Sequence, residues 1–573
     1  MKKNKNKFFK IVLFAIIVIA IVAVIGFLGF KQMKISQTEG EYRSFLKVYE
    51  SQVVNLEKDT SLAYYNAINS GRDEDFAKST KLNLDLNNIY LNRDTFYKLK
   101  AFKDSGYIQD PLLKRQLDMQ YLKFMTSLAD KKTVDELTSM QNDLEQKFYT
   151  FRTKYNGKSI SDNEVEGILK TSKNSKQLKA VWEDNKKIGN VVSSDIIKMV
   201  KMRNSVARDL GFADYQKMAL TLNDQDPVEM DHIFDELDVA TKDAYTQAKG
   251  EIDTALAKQY GIKVSDLRPW HYQNRYFQEV PPGIFSVDLD SLYKNGDVLA
   301  LTEIYYKNLG LPIDTLVKAS DLYERANKYQ HAITFDIDRE GDIRVVANIV
   351  NNNYWMHTLL HEFGHALYAQ KADRQLPWEL RVPANIFTTE AIAVLFQDMV
   401  YSPQWMKEDL KMSDKEVAAI SPDALEYNRL NALIFSRWTQ VMYRFEKSMY
   451  ENPDQDLNKL WWDLVEKYQL VQRPEGRNAP DWATKIHIVE TPIYYHNYML
   501  GYLYASQLRH YINTNIVNTN DGHPSYSGNQ KVGDYLVKEV FAPGARYSWE
   551  DLIEKSTGEK LNPIYFGQEV VKQ

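Results

Sequence analysis

The sequence predicts a mainly helical fold: one large domain, a small β-hairpin, and one N-terminal transmembrane helix. Three observations carry that expectation. From Lys31 to Asp226 the only proline is Pro111, and apolar residues recur at helical spacing between mixed charges. An unbroken apolar run, Ile11 to Phe30, stands near the amino end. Alternation of strand type is confined to about 330–348, where Glu340-Gly341 supplies a turn.

At 44% hydrophobic and 26% charged residues, the 573-residue chain is not a disordered or fibrous one. The absence of cysteine excludes disulfides, thiolate zinc sites, iron–sulfur clusters, a cysteine nucleophile and a lipoprotein anchor. Residues 1–34 hold seven lysines and no acid, which leaves 65 basic against 77 acidic residues in the remainder. So acidic a body is unsuited to nucleic acid, which is bound by neutralising phosphates.

Lys2, Lys3, Lys5, Lys7 and Lys10 precede the apolar run, and Lys31 and Lys34 follow it. Twenty helical residues rising about 1.5 Å each span about 30 Å, one hydrocarbon core. The lysine excess before the run places the amino end in the cytoplasm. The expected organisation is therefore a cytoplasmic basic tail (1–10), a signal anchor (11–30), a linker (31–42) and an extracellular body (43–573). A cleaved signal peptide, giving a secreted protein, is the alternative. The run is long for that, and no A-x-A-like site ends it.

Leu112–Leu128 and Val134–Tyr149 read as amphipathic helices within a region taken as nearly all helix. Ala332–Asp338, the turn Arg339–Asp342 and Ile343–Ala347 read as strand, turn, strand. Helix follows over Tyr354–Lys371, Phe387–Val400 and Pro422–Glu451, the last with Ser421 as N-cap and Pro422 as first helical residue.

His361-Glu362-Phe363-Gly364-His365 lies in the first of these three helices. Residues four apart share a helix face, so both imidazoles can reach one ion, and neutral imidazole suits zinc. Glu362 adjoins the first histidine and is placed to activate water as a general base. Glu390, 25 residues beyond His365 on the next helix, is the candidate third ligand. Pro377 and Pro383 break the chain between the two helices. Gly364 allows a close neighbour, and His357, a turn upstream, is read as a packing residue or a partner of the ligands.

This set, with Thr389-Glu390-Ala391-Ile392, resembles the angiotensin-converting-enzyme family of zinc peptidyl-dipeptidases. Further segments agree: His331-Ala332 with Phe335-Asp336, Trp461-Trp462, Lys467-Tyr468-Gln469, Lys485-x-His487, and Pro492 to Tyr498. The similarity covers about 270–510, and the amino-terminal half shares only helical texture. The resemblance implies a deep central cleft in the helical domain, and that one zinc is held by His361, His365 and Glu390, with Glu362 activating water. It implies that His331 and Ala332 hold the substrate backbone, that Lys485, Tyr495 and Gln273 grip its terminal carboxylate, and that His487 and Tyr498 stabilise the oxyanion. His496 is the alternative to Tyr498. Val394 stands where the family has an Asp, and Val465 and Asn497 stand at chloride-binding arginine positions, which argues against chloride dependence. The expected partners are peptides and, through the amino-terminal helix, a membrane. The expected reaction is release of C-terminal dipeptides. The alternatives are an oligoendopeptidase of the thimet-oligopeptidase type and a non-catalytic ectodomain on a peptidase fold.

Overall fold

The computed structural model describes residues 2–282, 284 and 288–571, with side chains from Lys7 onward; the side chains of Lys2, Lys3 and Lys5 in the expected basic tail lie outside the described residues. Helix dominates, at 71% of the chain, with two small sheets. Two compact units form: residues 1–60 with 81–127, and residues 61–80 with 128–573.

The first unit holds most of helix α1 (Lys2–Ser70). Phe8 to Phe30 is exposed around the helix, and this is the one helix among the described residues long and apolar enough to cross a membrane. The expected linker at 31–42 is helical and continuous with the apolar run. No proline stands between Lys31 and Ser70 and Gly40 is the one glycine there, so nothing terminates α1 before Ser70. Downstream, Tyr42 and Tyr49 pack against Phe102 and Phe124, and the Tyr42 hydroxyl donates to Gln120 Oε1 at 2.9 Å.

The second unit contains everything the sequence singles out for chemistry. Its first hairpin, β1 (Thr153–Tyr155) with β2 (Lys158–Ile160), interrupts the region expected to be all helix. The cause is local: Asn156 and Gly157 both have positive φ, 50° and 76°, the geometry a two-residue Asn-Gly hairpin turn requires. The second hairpin, β3 (Ile333–Asp336) with β4 (Ile343–Val346), was expected, and its register pairs Ile333 with Val346 and Thr334 with Val345. Strand alternation then divides its faces. Ile333, Phe335 and Val346 pack on Tyr65 and Ile68 at the end of α1, whereas Val345 joins the main core. Thr334, on Val345's face, points at the helix that follows.

That helix, α2 (Asn353–Lys371), starts at the N-cap Asn352. α3 (Ile386–Gln397) starts at Asn385, whose side chain accepts from Phe387 N–H. α2 and α3 approach closely at Gly364, where an added Cβ would lie 3.2 Å from Phe396 Cδ2 and 3.3 Å from Ala393 Cα. Gly364→Ala should therefore cost about 1–3 kcal/mol by overpacking, outweighing the gain of about 1 kcal/mol in helix propensity; a melting temperature at or above wild type would refute this contact. α4 (Asp414–Glu451) begins eight residues before the expected Pro422 start. Ser413 and Glu416 form a capping box that fixes the earlier start, and Pro422 is carried inside the helix, where it leaves the Ala418 carbonyl without its helical donor. α5 (His496–Tyr511) lies against α3: a Cβ on Gly501 would meet Glu390 Cβ at 3.0 Å.

Candidate metal centre

One turn of α2 puts His361 and His365 on a common face, and their Nε2 atoms stand 3.1 Å apart. Glu390 on α3 brings Oε2 to 3.8 Å from each. The three residues offer ligand atoms all within 4.8 Å of one another, the one such group of His, Asp and Glu among the described residues.

The outer nitrogens of both rings are engaged. His361 Nδ1 lies 2.7 Å from Gln397 Oε1, and His365 Nδ1 lies 2.7 Å from Thr389 Oγ1. An amide oxygen only accepts, so His361 carries its proton on Nδ1 and presents a lone pair at Nε2. Two imidazoles and a carboxylate converging with their outer sides fixed fit a zinc site that keeps a position for water. Burial, then the neighbouring His361, pushes His365 well below the ordinary histidine range, keeping it neutral. Thr389 and Gln397 are the partners that ligand spacing does not name. Gln397 had a signal: seven residues after Glu390, it shares that residue's helix face. Val394, four residues after Glu390, is buried, and the side chain that meets His361 Nδ1 is Gln397. Gln397→Leu should weaken metal affinity about 10–100-fold, read by competition with a zinc-sensitive dye; unchanged affinity would remove Gln397 from the site.

Glu362 is 7% exposed, and its Oε2 accepts from Thr334 Oγ1 at 2.7 Å. Burial raises its carboxyl above the usual range, against the opposing pull of His361. Burial likewise raises Glu390. His357 packs on Tyr401, with ring centroids 6.2 Å apart, and burial pushes it down to about 3.

Lys485 is buried, and its Nζ donates to Gln278 Oε1 at 3.2 Å. The rings of Tyr276, Trp438 and Tyr495 surround that Nζ at 5.0, 5.5 and 5.2 Å. Among the described residues it forms no ion pair; burial, then Arg275, pushes the amine down to about 8. The amide beside Lys485 is thus Gln278, not the expected Gln273. Gln273 sits at the end of a short turn with φ of 59° and faces Tyr260, which carries the chain around before Gln278 arrives. His487 and Tyr495 rings lie 5.2 Å apart, and Tyr495 and Tyr498 rings 5.4 Å apart. His487 Nδ1 is buried without a hydrogen-bond partner, and burial, then Lys485, pushes its ring down to about 4. Burial and Glu390 raise the Tyr498 hydroxyl, so it keeps its proton. His496 is committed elsewhere: buried, its Nε2 pairs with Gln225 Oε1 at 2.8 Å, so it is not the alternative to Tyr498. His331 is exposed, its ring 5.4 Å from that of Tyr329 and tilted 60° to it, and Ala332 is half-buried; both just precede β3.

A helical body with two histidines a turn apart, an adjoining glutamate and a carboxylate from the next helix defines a metallopeptidase. The sequence profile of peptidase family M3 matches residues 168–571, and that of the angiotensin-converting-enzyme family matches residues 36–269. The chain belongs to peptidase family M3. It is also 22% identical to the angiotensin-converting enzyme of Theromyzon tessulatum over 92% of this chain and 90% of that protein. It is 24% identical to carboxypeptidase 1 of Bacillus subtilis over 56% of this chain and 74% of that protein. The rat angiotensin-converting enzyme aligns at 21% identity over 74% of this chain and 34% of its own length. The amino-terminal half therefore carries more of the converting-enzyme likeness than helical texture: its sequence matches that family's profile where no motif stands out.

Proposed function

We propose that the chain is a zinc peptidyl-dipeptidase, anchored in a cell membrane by α1 with its amino end cytoplasmic and its body, about 43–573, outside. The observation that carries the reading is Lys485: a buried ammonium with an amide and three aromatic rings around it and, among the described residues, no anion of its own. A free peptide carboxylate is the partner it lacks. Its distance along the peptide from the reacting carbonyl would set how many residues are released.

His361, His365 and Glu390 would hold one zinc ion, consistent with the zinc dependence of these peptidase families. Zinc bound there supplies Lewis acidity, lowering the pKa of water and polarising the scissile carbonyl. Glu362 takes the proton from the attacking water and delivers it to the leaving amine. Its raised basicity comes from burial, and Thr334 fixes its orientation. His487, neutral, and Tyr498, protonated, are hydrogen-bond donors for the charge that develops on the carbonyl oxygen. His331 and Ala332, leading into β3, would align the peptide backbone by strand-like pairing. Lys485 and Tyr495, with Gln278, grip the carboxyl end.

The test is mass spectrometry of products from matched free-acid and carboxyl-amidated peptides, with and without chelator. Dipeptides should appear from the free acids, slowly or not at all from the amides, and nothing with chelator. Equal cleavage of both would favour the oligoendopeptidase reading, which the family M3 match also supports. Lys485→Ala should cost about 2–5 kcal/mol of free-acid binding and leave amide cleavage unchanged. The cation is lost as pH rises through about 8, so KM for free acids should climb there and KM for amides should not. Parallel pH profiles for the two substrates would count against the carboxylate role.

A further inference from the structure

The segment from Lys485 to Tyr498 carries the side chains proposed to grip the carboxyl end and to steady the developing charge, yet its regular structure before α5 begins at His496 is one short turn, His487–Glu490. Its backbone is held from outside by buried polar side chains. Arg203, 5% exposed, donates to the carbonyls of Ile488 at 3.0 Å and Val489 at 2.8 Å, and to the Tyr450 hydroxyl at 3.1 Å. Gln225, 2% exposed, donates to Asn497 Oδ1 at 2.7 Å and pairs with His496 Nε2. Glu446 on α4, 3% exposed, accepts the Ile493 N–H at 3.0 Å.

Ile493 is the unusual point. Its φ is +53°, the one β-branched residue with positive φ among the described residues. A branched Cβ clashes in the left-handed region, so such a residue stays there only when its surroundings impose it. Tyr495 follows two residues later and Tyr498 five.

We propose that Glu446, assisted by Arg203, is a positioning residue: it fastens Ile493 in the left-handed conformation and thereby fixes where Tyr495 and Tyr498 point. The inference rests on the roles given to those tyrosines under Proposed function. Without the Glu446 acceptor, the Ile493 N–H is orphaned and the backbone relaxes to negative φ, which re-aims both rings. Glycine at 493 has no Cβ to clash and can hold positive φ unaided.

The test compares Glu446→Ala, Glu446→Gln, Ile493→Gly and the double variant E446A I493G as full-length protein, by zinc content, melting temperature, and kcat and KM on a free-acid peptide. Glu446→Ala should keep its zinc and lose roughly 10- to 100-fold in kcat/KM, with kcat falling through Tyr498 and KM rising through Tyr495. Glu446→Gln, whose amide oxygen still accepts, should stay near wild type. The double variant should recover most of the loss. A Gln variant as damaged as the Ala variant, or a folded double variant no better than Glu446→Ala, overturns the proposal. Should Glu446→Ala not fold, a soluble, zinc-loaded double variant supports it and an insoluble one overturns it. If wild type releases no dipeptides, the functional reading fails, and melting temperatures still decide the clamp: Ile493→Gly must cost less beside Glu446→Ala than in wild type, and equal costs overturn it.

Discussion

Replacing Glu362 by Ala should abolish peptide hydrolysis and leave the metal in place. Glu362 is not one of the three converging ligands, so the donor set of His361, His365 and Glu390 survives its removal. Loss of a positioned general base costs about 10²–10⁴ in rate, and here the same group would also reprotonate the leaving amine. Its burial makes it a stronger base than a surface carboxylate, and Thr334 holds it from the hairpin. Glu362→Gln separates chemistry from packing: it can still accept from Thr334 and cannot take a proton. Both variants should carry wild-type zinc and melt near wild type, with kcat at background. Turnover comparable to wild type in either would remove Glu362 from the mechanism, and loss of zinc in the Gln variant would make it a structural element of the metal site.

Replacing Glu390 by Ala should instead empty the site. Its carboxylate is the only anion in the donor set, 3.8 Å from each inner imidazole nitrogen, and it offsets the cost of placing a dication among buried groups. The loss of affinity should exceed the 10–100-fold expected for an outer partner such as Gln397. The backbone contact beneath it need not change, because Gly501 packs against the Glu390 Cβ, which Ala retains. Metal binding stabilises the folded state in proportion to ligand concentration over Kd. Wild type should therefore melt lower when chelated, and Glu390→Ala should melt at one temperature with or without chelator. Retained zinc in Glu390→Ala would break the proposed ligand set.

The candidate metal ligands His361 and His365 were legible in the sequence because a helix converts a spacing of four into a shared face. Glu390 was legible because a second helix, announced by prolines between, brings a carboxylate to that face. The partners of the ligands were less so. Gln397 shares a helix face with Glu390, but Thr334 and Thr389 meet Glu362 and His365 through one hydroxyl each, and a lone hydroxyl near a motif carries no periodicity to mark it. Gln273 and Gln278 illustrate the limit in loops: five residues separate them, both are glutamines, and positive φ at Gln273 and Phe277 turns the chain between them, so only coordinates say which meets Lys485. The start of α4 had a readable signal, the capping box of Ser413 with Glu416, and the helix runs on through Pro422 although a proline inside costs more than a cap returns.

Alone, the chain's order of residues determined the helical class, the apolar amino-terminal span, the hairpin beside α2 and the three candidate metal donors, all marked by local pattern. Tertiary structure decided how each donor is oriented, which amide meets Lys485, that this lysine pairs with no anion among the described residues, and that Ile493 is held against its preference. Those outcomes depend on burial and on contacts between residues hundreds of positions apart, such as Arg203 with Ile488, which no local pattern encodes.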